Sequence, residues 1–283
     1  VSSKLSIADD LRLLYQEIIQ GSSASLDSKI FFRHFNELDY IHILRSKVST
    51  FNKYLEEGIP SEEDRLKKVI QFEEWSQDKE DRITSLRLAI SDNERNLQNF
   101  VIPIQQAGVR LAIERDRKEL IDQLIDRHQV LGTTADELSG RESNIFATYL
   151  ALYKDVQCVE PLFPTFADFE NLESHESERI MDLMSRTLER LTEQKIRQIS
   201  VMPFFLNNFS YAKESLHTFL QKPLVNLTSN QLVLFSQGQR NLNILSQCRG
   251  SPPELMGGVV PNDLVTWYDQ QYSVIIGKRN LAS

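Results

Sequence analysis

From Ser61 to Leu131 the chain carries an almost unbroken helical pattern, far longer than a globular helix needs, interrupted only at Pro103 and near Gly108. This stretch predicts a spine around which the other segments pack. Ile83, Leu86, Ile90, Leu97, Phe100 and Ile104 fall on the a and d positions of a heptad, with Asn93 in the remaining d-type slot. A second seam follows Pro103, where Ile113, Leu120, Leu124 and Leu131 keep the same spacing, and Arg117 and Arg127 stand where hydrophobes are expected. Polar residues at such positions cost stability and fix register. Two destinations are open to these stripes: other helices of the same chain, or a helix of a partner.

The 283 residues suffice for one large domain or two. With only 10 Gly and 9 Pro there is little turn punctuation for many short strands, and the charged residues recur at helical spacing. The expected class is all-α: an elongated bundle of long antiparallel helices with coiled-coil-like packing and few or no strands. Composition changes near Pro203, where charges thin out and Asn and Gln become frequent, so residues 1–200 read as the long-helix part and 201–283 as an amide-rich helical part with an irregular tail.

Ser6 and Asp9 resemble a capping box for a short helix bearing Ile7, Leu11, Leu14, Tyr15 and Ile18, which should end at Gly21. Gly21 to Ser28 reads as a flexible link. A second helix is expected from Ser28 to Gly58, with Phe31, Phe35, Leu38, Ile41, Leu44, Val48, Phe51 and Leu55 as a core-facing stripe. Gly132 to Ser143 reads as a hinge, Asn144 to Val156 as a buried helix, and Glu173 to Ser200 as one amphipathic helix. Between the last two, Phe163, Phe166 and Phe169 pin a proline-broken loop. Thr228 and Gln231 form a capping box ahead of Leu232 and Phe235. The tail from Asn262 fits a helix, while Tyr272 to Ile276 also fits a strand or an extended peptide docking on a partner; Trp267 and Tyr268 are candidate interface anchors if exposed.

The chemistry-bearing motifs are absent from the sequence. Its five histidines are scattered, without HExxH or cysteine partners at ligand spacing, so no metal site is expected. Gly257-Gly258 lacks the lysine of a phosphate loop, and there is no GxSxG elbow or kinase set, so no cofactor is expected. A single Glu-x-x-His, at Glu214 and His217, falls short of the two pairs a di-iron bundle uses. Two cysteines make no disulfide framework and fit a reducing compartment. The N-terminal residues show no signal-peptide pattern, and no apolar run approaches a membrane span, so a soluble intracellular protein, cytoplasmic or part of a viral or cellular assembly, is expected.

A formal net charge of -8, spread evenly over both halves, argues against a nucleic-acid platform. It also disfavours membrane contact. The expected role is therefore non-enzymatic: a structural or scaffolding subunit with protein partners, homo- or hetero-oligomeric, engaged through helical seams. The candidate interface is Ile83, Leu86, Ile90, Leu97, Ile104, Trp267 and Tyr268. One alternative is a crescent-shaped helical module that binds membranes through Arg65, Lys67, Lys68, Arg82 and Arg87; these cations are interleaved with acids. The other is an assembly chaperone with an exposed apolar groove.

Overall fold

The computed structural model describes residues 6–25, 29–97, 103–212, 215–248, 250–253 and 260–282. Helix α1 (Ile7–Gln20) starts where the Ser6 hydroxyl accepts from the Asp9 backbone N–H, and ends at Gly21. The φ of 81° at Gly21 lets its N–H donate to the Glu17 carbonyl. Leu11, Leu14 and Ile18 line its buried face, as their spacing predicts.

The tract after Gly21 is not a link. Ser22–Ala24 form strand β1 and Phe31–Arg33 strand β2, with Ser23 opposite Phe32. The helix expected from Ser28 therefore begins only at Glu37, as α2 (Glu37–Glu56); Ser28 itself lies outside the described residues. Phe32 decides this: fully buried in the middle strand, it sits between β1 and the later β3, and Phe31 and Arg33 point the other way. Asn36 and Asp39 then start α2 by exchanging side-chain and backbone hydrogen bonds, both 3.0 Å.

The spine is three helices: α3 (Glu62–Gln71), α4 (Gln77–Leu97) and α5 (Pro103–Leu131). Pro103 is the first residue of α5, where its missing N–H is harmless, and Gly108 lies within the helix. The unforeseen break at Phe72–Ser76 has a cause in Trp75. That side chain turns into a core with Val69, Ile83 and Leu131, which requires Glu73 at a φ of 58°. Gly132, at a φ of 64°, and Thr134, which accepts from the Glu137 N–H, launch α6 (Ala135–Ala151) at once, so the expected hinge at 132–143 is mostly helix.

After α6, strand β3 (Leu152–Tyr153) completes a three-stranded antiparallel sheet in the order β1-β2-β3. Next come α7 (Phe166–Glu170), started by a Thr165–Asp168 capping box, and α8 (Ser174–Leu188). Thr192 caps α9 (Glu193–Ser200) and so splits the single helix expected over 173–200. The remaining helices are α10 (Pro203–Tyr211), α11 (Leu216–Leu220), α12 (Ser229–Gln247) and α13 (Pro261–Ala282). The ambiguous tail is thus helical. Among the described residues the chain is predominantly helical, with the one small sheet.

The chain divides into two compact units, residues 1–44 with 144–283, and residues 45–143; it passes from one to the other within α2 and again within α6. In the first, Leu11, Leu14 and Ile18 of α1 share a core with Ile196, Ile199, Phe205, Phe209 and Leu234. That core runs straight across the compositional change near Pro203. Phe32, Leu152 and Phe169 form a second cluster with Phe163 and Phe166, the aromatics expected to pin the proline-broken loop. In the second unit α4 lies antiparallel to α5, with Arg82 pairing with Glu119 and Arg127 with Glu80.

One residue ties two elements of the first unit together. Gln231, fully buried, closes the expected capping box of α12 with Thr228, and its amide N–H groups donate to the Ile18 and Ile19 carbonyls at 2.8 and 2.9 Å. It therefore starts α12 and satisfies the end of α1. Gln231→Ala should leave the buried Ile18 carbonyl and the Thr228 N–H without partners, and the Ile19 carbonyl with only the Lys222 ammonium at 3.4 Å, and lower stability by about 2–3 kcal/mol, read as a reduced denaturant midpoint at unchanged slope.

Candidate docking surface

Helix α2 is mounted with its apolar side outward. Ile41, Leu44, Val48, Phe51 and Leu55 recur at alternating steps of three and four, the spacing of a seam that meets another helix. Leu44 is 60% exposed and Val48 51%; Ile41 and Leu55 are also exposed, and Phe51 is half-buried. The side turned inward is the more polar one. Asp39 is buried and Ile43, Ser46, Thr50 and Tyr54 are half-buried. The core-facing role expected for the Leu38 to Leu55 stripe is thus corrected: Leu38 too is exposed, and only Phe51 is partly covered.

Hydrogen bonds explain the orientation. The Asp39 carboxylate accepts from the Arg33 guanidinium at 2.6 Å and from the Asn36 N–H at 3.0 Å. At the other end the Tyr54 hydroxyl donates to the Glu142 carboxylate. Both groups sit on the inward side, so rolling the apolar stripe inward would break these bonds and desolvate a carboxylate without its partner.

The stripe has company in the second unit. Leu88 on α4 and Ile104, Leu111, Ile121 and Ile125 on α5 are exposed, and so is Phe72 at the end of α3. Among its described residues this unit exposes at least as many large apolar side chains as it buries. Its internal core is narrow and held at one end by polar contacts. Glu80 accepts from the Trp75 indole at 2.8 Å and from Arg127 at 2.7 Å, and Arg127 also pairs with Glu62 at 2.8 Å. Arg127, a polar residue in a seam position, thereby joins α3, α4 and α5.

The sequence-predicted interface residues divide between core and surface. Ile83, Leu86 and Ile90 are buried within the α4–α5 hairpin, Leu97 is partly buried and Ile104 is exposed; Phe100 lies outside the described residues. Tyr268 is buried with Val201, Ile244 and Leu264, and Trp267, stacked edge-on against it at 5.0 Å, is half-buried. Ile83, Leu86, Ile90 and Tyr268 are therefore already engaged by this chain. The α2 face carries the same spacing signal, but an amphipathic stripe in a sequence reads by default as core. Of the cations considered for a membrane surface, Lys67 pairs with Glu63, Arg82 pairs with Glu119, and Arg65 donates to the Leu131 carbonyl.

Two other places carry polar groups. A cleft of about 490 Å³ is lined by Glu62, Arg127, His128, Asp136 and Glu137, together with Leu124 and Leu131. In the first unit the buried Ser23 and His34 form a hydrogen-bonded chain with the half-buried Glu17. The Ser23 hydroxyl donates to Glu17 at 2.6 Å and lies 2.9 Å from His34 Nε2. Because Ser23 gives its proton to Glu17, His34 must donate from Nε2, leaving Nδ1 as a buried acceptor without a hydrogen-bond partner. In a catalytic triad the carboxylate orients the histidine and the serine is accessible; here the carboxylate holds the serine, which is fully buried. This chain of bonds joins α1 to the sheet.

Among the described residues no group of His, Cys, Asp and Glu side chains could hold a metal ion, and no helix is long and apolar enough to cross a membrane. The chain matches no family model, and comparison with curated proteins and with solved structures gives no significant match.

Burial, helped by the Lys222 charge, pushes the His34 pKa down from 6.5 to about 4. The unfolded chain therefore takes up this proton first as pH falls, so stability is full above about pH 6.5 and is lost down to about pH 4. Between pH 7.5 and pH 5 the His34 contribution should fall by about 2 kcal/mol. Denaturant titrations at the two pH values should show a smaller drop in His34→Gln than in the parent; equal drops would contradict the assignment.

Proposed function

We propose that the chain is a non-enzymatic structural or scaffolding subunit of a larger macromolecular assembly, acting through helix–helix interfaces with protein partners. The observation that carries this reading is the outward stripe of α2, where seam-spaced apolar residues meet solvent and the polar side is turned in. Water-exposed apolar stripes of this length are costly for a free protein and are removed from water by association. In this reading an arriving helix lies along α2 with coiled-coil-like packing. Leu111, Ile121 and Ile125 on α5 offer a further face for such packing.

The narrow internal core of the second unit fits the same reading. Its helices are held in register by Arg127, Glu80 and Glu62, so the surface is ordered before a partner arrives. A preordered helix loses little conformational entropy on docking, which suits a subunit that fixes distance and register.

A photo-reactive amino acid placed at position 48 or 55 in the source cells tests this directly. The expected result is a discrete, near-stoichiometric adduct with one or a few protein chains, absent when the same group replaces the off-stripe Lys53. A smear of many low-yield adducts would assign the face to transient, chaperone-like binding, and no adduct at either position would remove α2 as a docking surface.

A further inference from the structure

We infer that the outward face of α2 takes a helix of another protein whose flanks are acidic. This rests on the docking reading above and specifies the partner's chemistry. From Tyr40 to Leu55 the helix contains Arg45, Lys47 and Lys53 and no carboxylate. In the seam spacing Arg45 follows Leu44 and Lys47 precedes Val48, so one cation stands on each side of the stripe at the positions that set partner choice in helix pairs. Both are exposed, and neither makes an ion pair among the described residues, although Lys47 also borders the cleft beside Glu62, Asp136 and Glu137. Lys53, off the stripe, reaches Glu57 at 4.0 Å and lies over the Tyr54 ring. Two unpaired cations beside an apolar seam, in a chain of net charge -8, are the complement of an acidic helix and not of this protein's average surface.

Other occupants fit less well. A second copy of α2 brings the same Arg45 and Lys47 and no acid between Tyr40 and Leu55, so neither orientation gains an ion pair along the stripe. A bilayer surface favours a wide apolar face, whereas this stripe is narrow, with Ser49 and Asn52 beside it. From Ile41 to Leu55 the stripe runs about 21 Å, which matches about two heptads of the arriving helix.

The test titrates the full chain against three designed helical peptides with leucine at a and d and either Glu, Gln or Lys at e and g, read by fluorescence anisotropy. The Glu peptide should bind about tenfold tighter than the Lys peptide. The gap should narrow as salt rises from about 50 to about 500 mM, and should reverse in Arg45→Glu/Lys47→Glu. Val48→Asp, and separately Leu55→Asp, should abolish binding while circular dichroism stays unchanged. Equal binding of the Glu and Lys peptides that is lost in Val48→Asp would overturn the acidic partner and leave the docking face standing. Binding untouched by both Asp variants would overturn the two together. Self-association lost in Val48→Asp without peptide binding would assign the face to a second copy, and binding to phosphatidylserine vesicles that the Glu peptide does not displace would assign it to a membrane.

Discussion

The buried carboxylate of Asp39 sets how α2 is rolled about its own axis. It accepts from Arg33 and Asn36, and together these contacts fix the first turn of the helix with Asp39 inward. Tyr54 and Glu142 hold the last turn the same way. A helix has only one inward side, and here hydrogen bonds to a buried charge occupy it. The aliphatic stripe, displaced by roughly a third of a turn or more, is left facing water. Burying the stripe would gain apolar area, but only by stripping a carboxylate of its partners, and the second effect is the larger per residue.

A comparable choice shapes the second unit. Trp75 is taken into the core at the cost of a left-handed residue, Glu73, and a break in the spine. Its indole N–H then meets Glu80, which meets Arg127, which meets Glu62. Three helices are thereby indexed against one another by polar contacts, and the apolar contacts inside can stay few. Leu88 of α4 and Leu111, Ile121 and Ile125 of α5 are exposed.

Local signals in the sequence marked the elements whose ends are made by adjacent residues. Ser6 with Gly21 delimits α1, and Thr228 with Gln231 starts α12, because caps act over three or four positions. Heptad spacing marked Ile83, Leu86 and Ile90 as a seam, and all three are buried in the chain. The three-residue strands β1 and β2 were not legible, since so short an alternation is lost beside a helical pattern. Nor was the break at Trp75, whose cause is a contact with Leu131 far along the chain. The α2 surface was visible as a stripe but not as a surface: which side faces inward depends on Arg33 from a strand and Glu142 from a distant helix.

The most direct test of this account asks whether the α2 stripe belongs to the fold at all. Equilibrium denaturation of Val48→Gln and Leu55→Gln, beside Ile83→Ala as a core reference, separates the two possibilities. The account predicts a change within about 0.5 kcal/mol for the two α2 variants and a loss of about 2–4 kcal/mol for Ile83→Ala. A loss of core size at Val48 or Leu55 would mean that the stripe is packed inside the protein, and the docking surface would not exist.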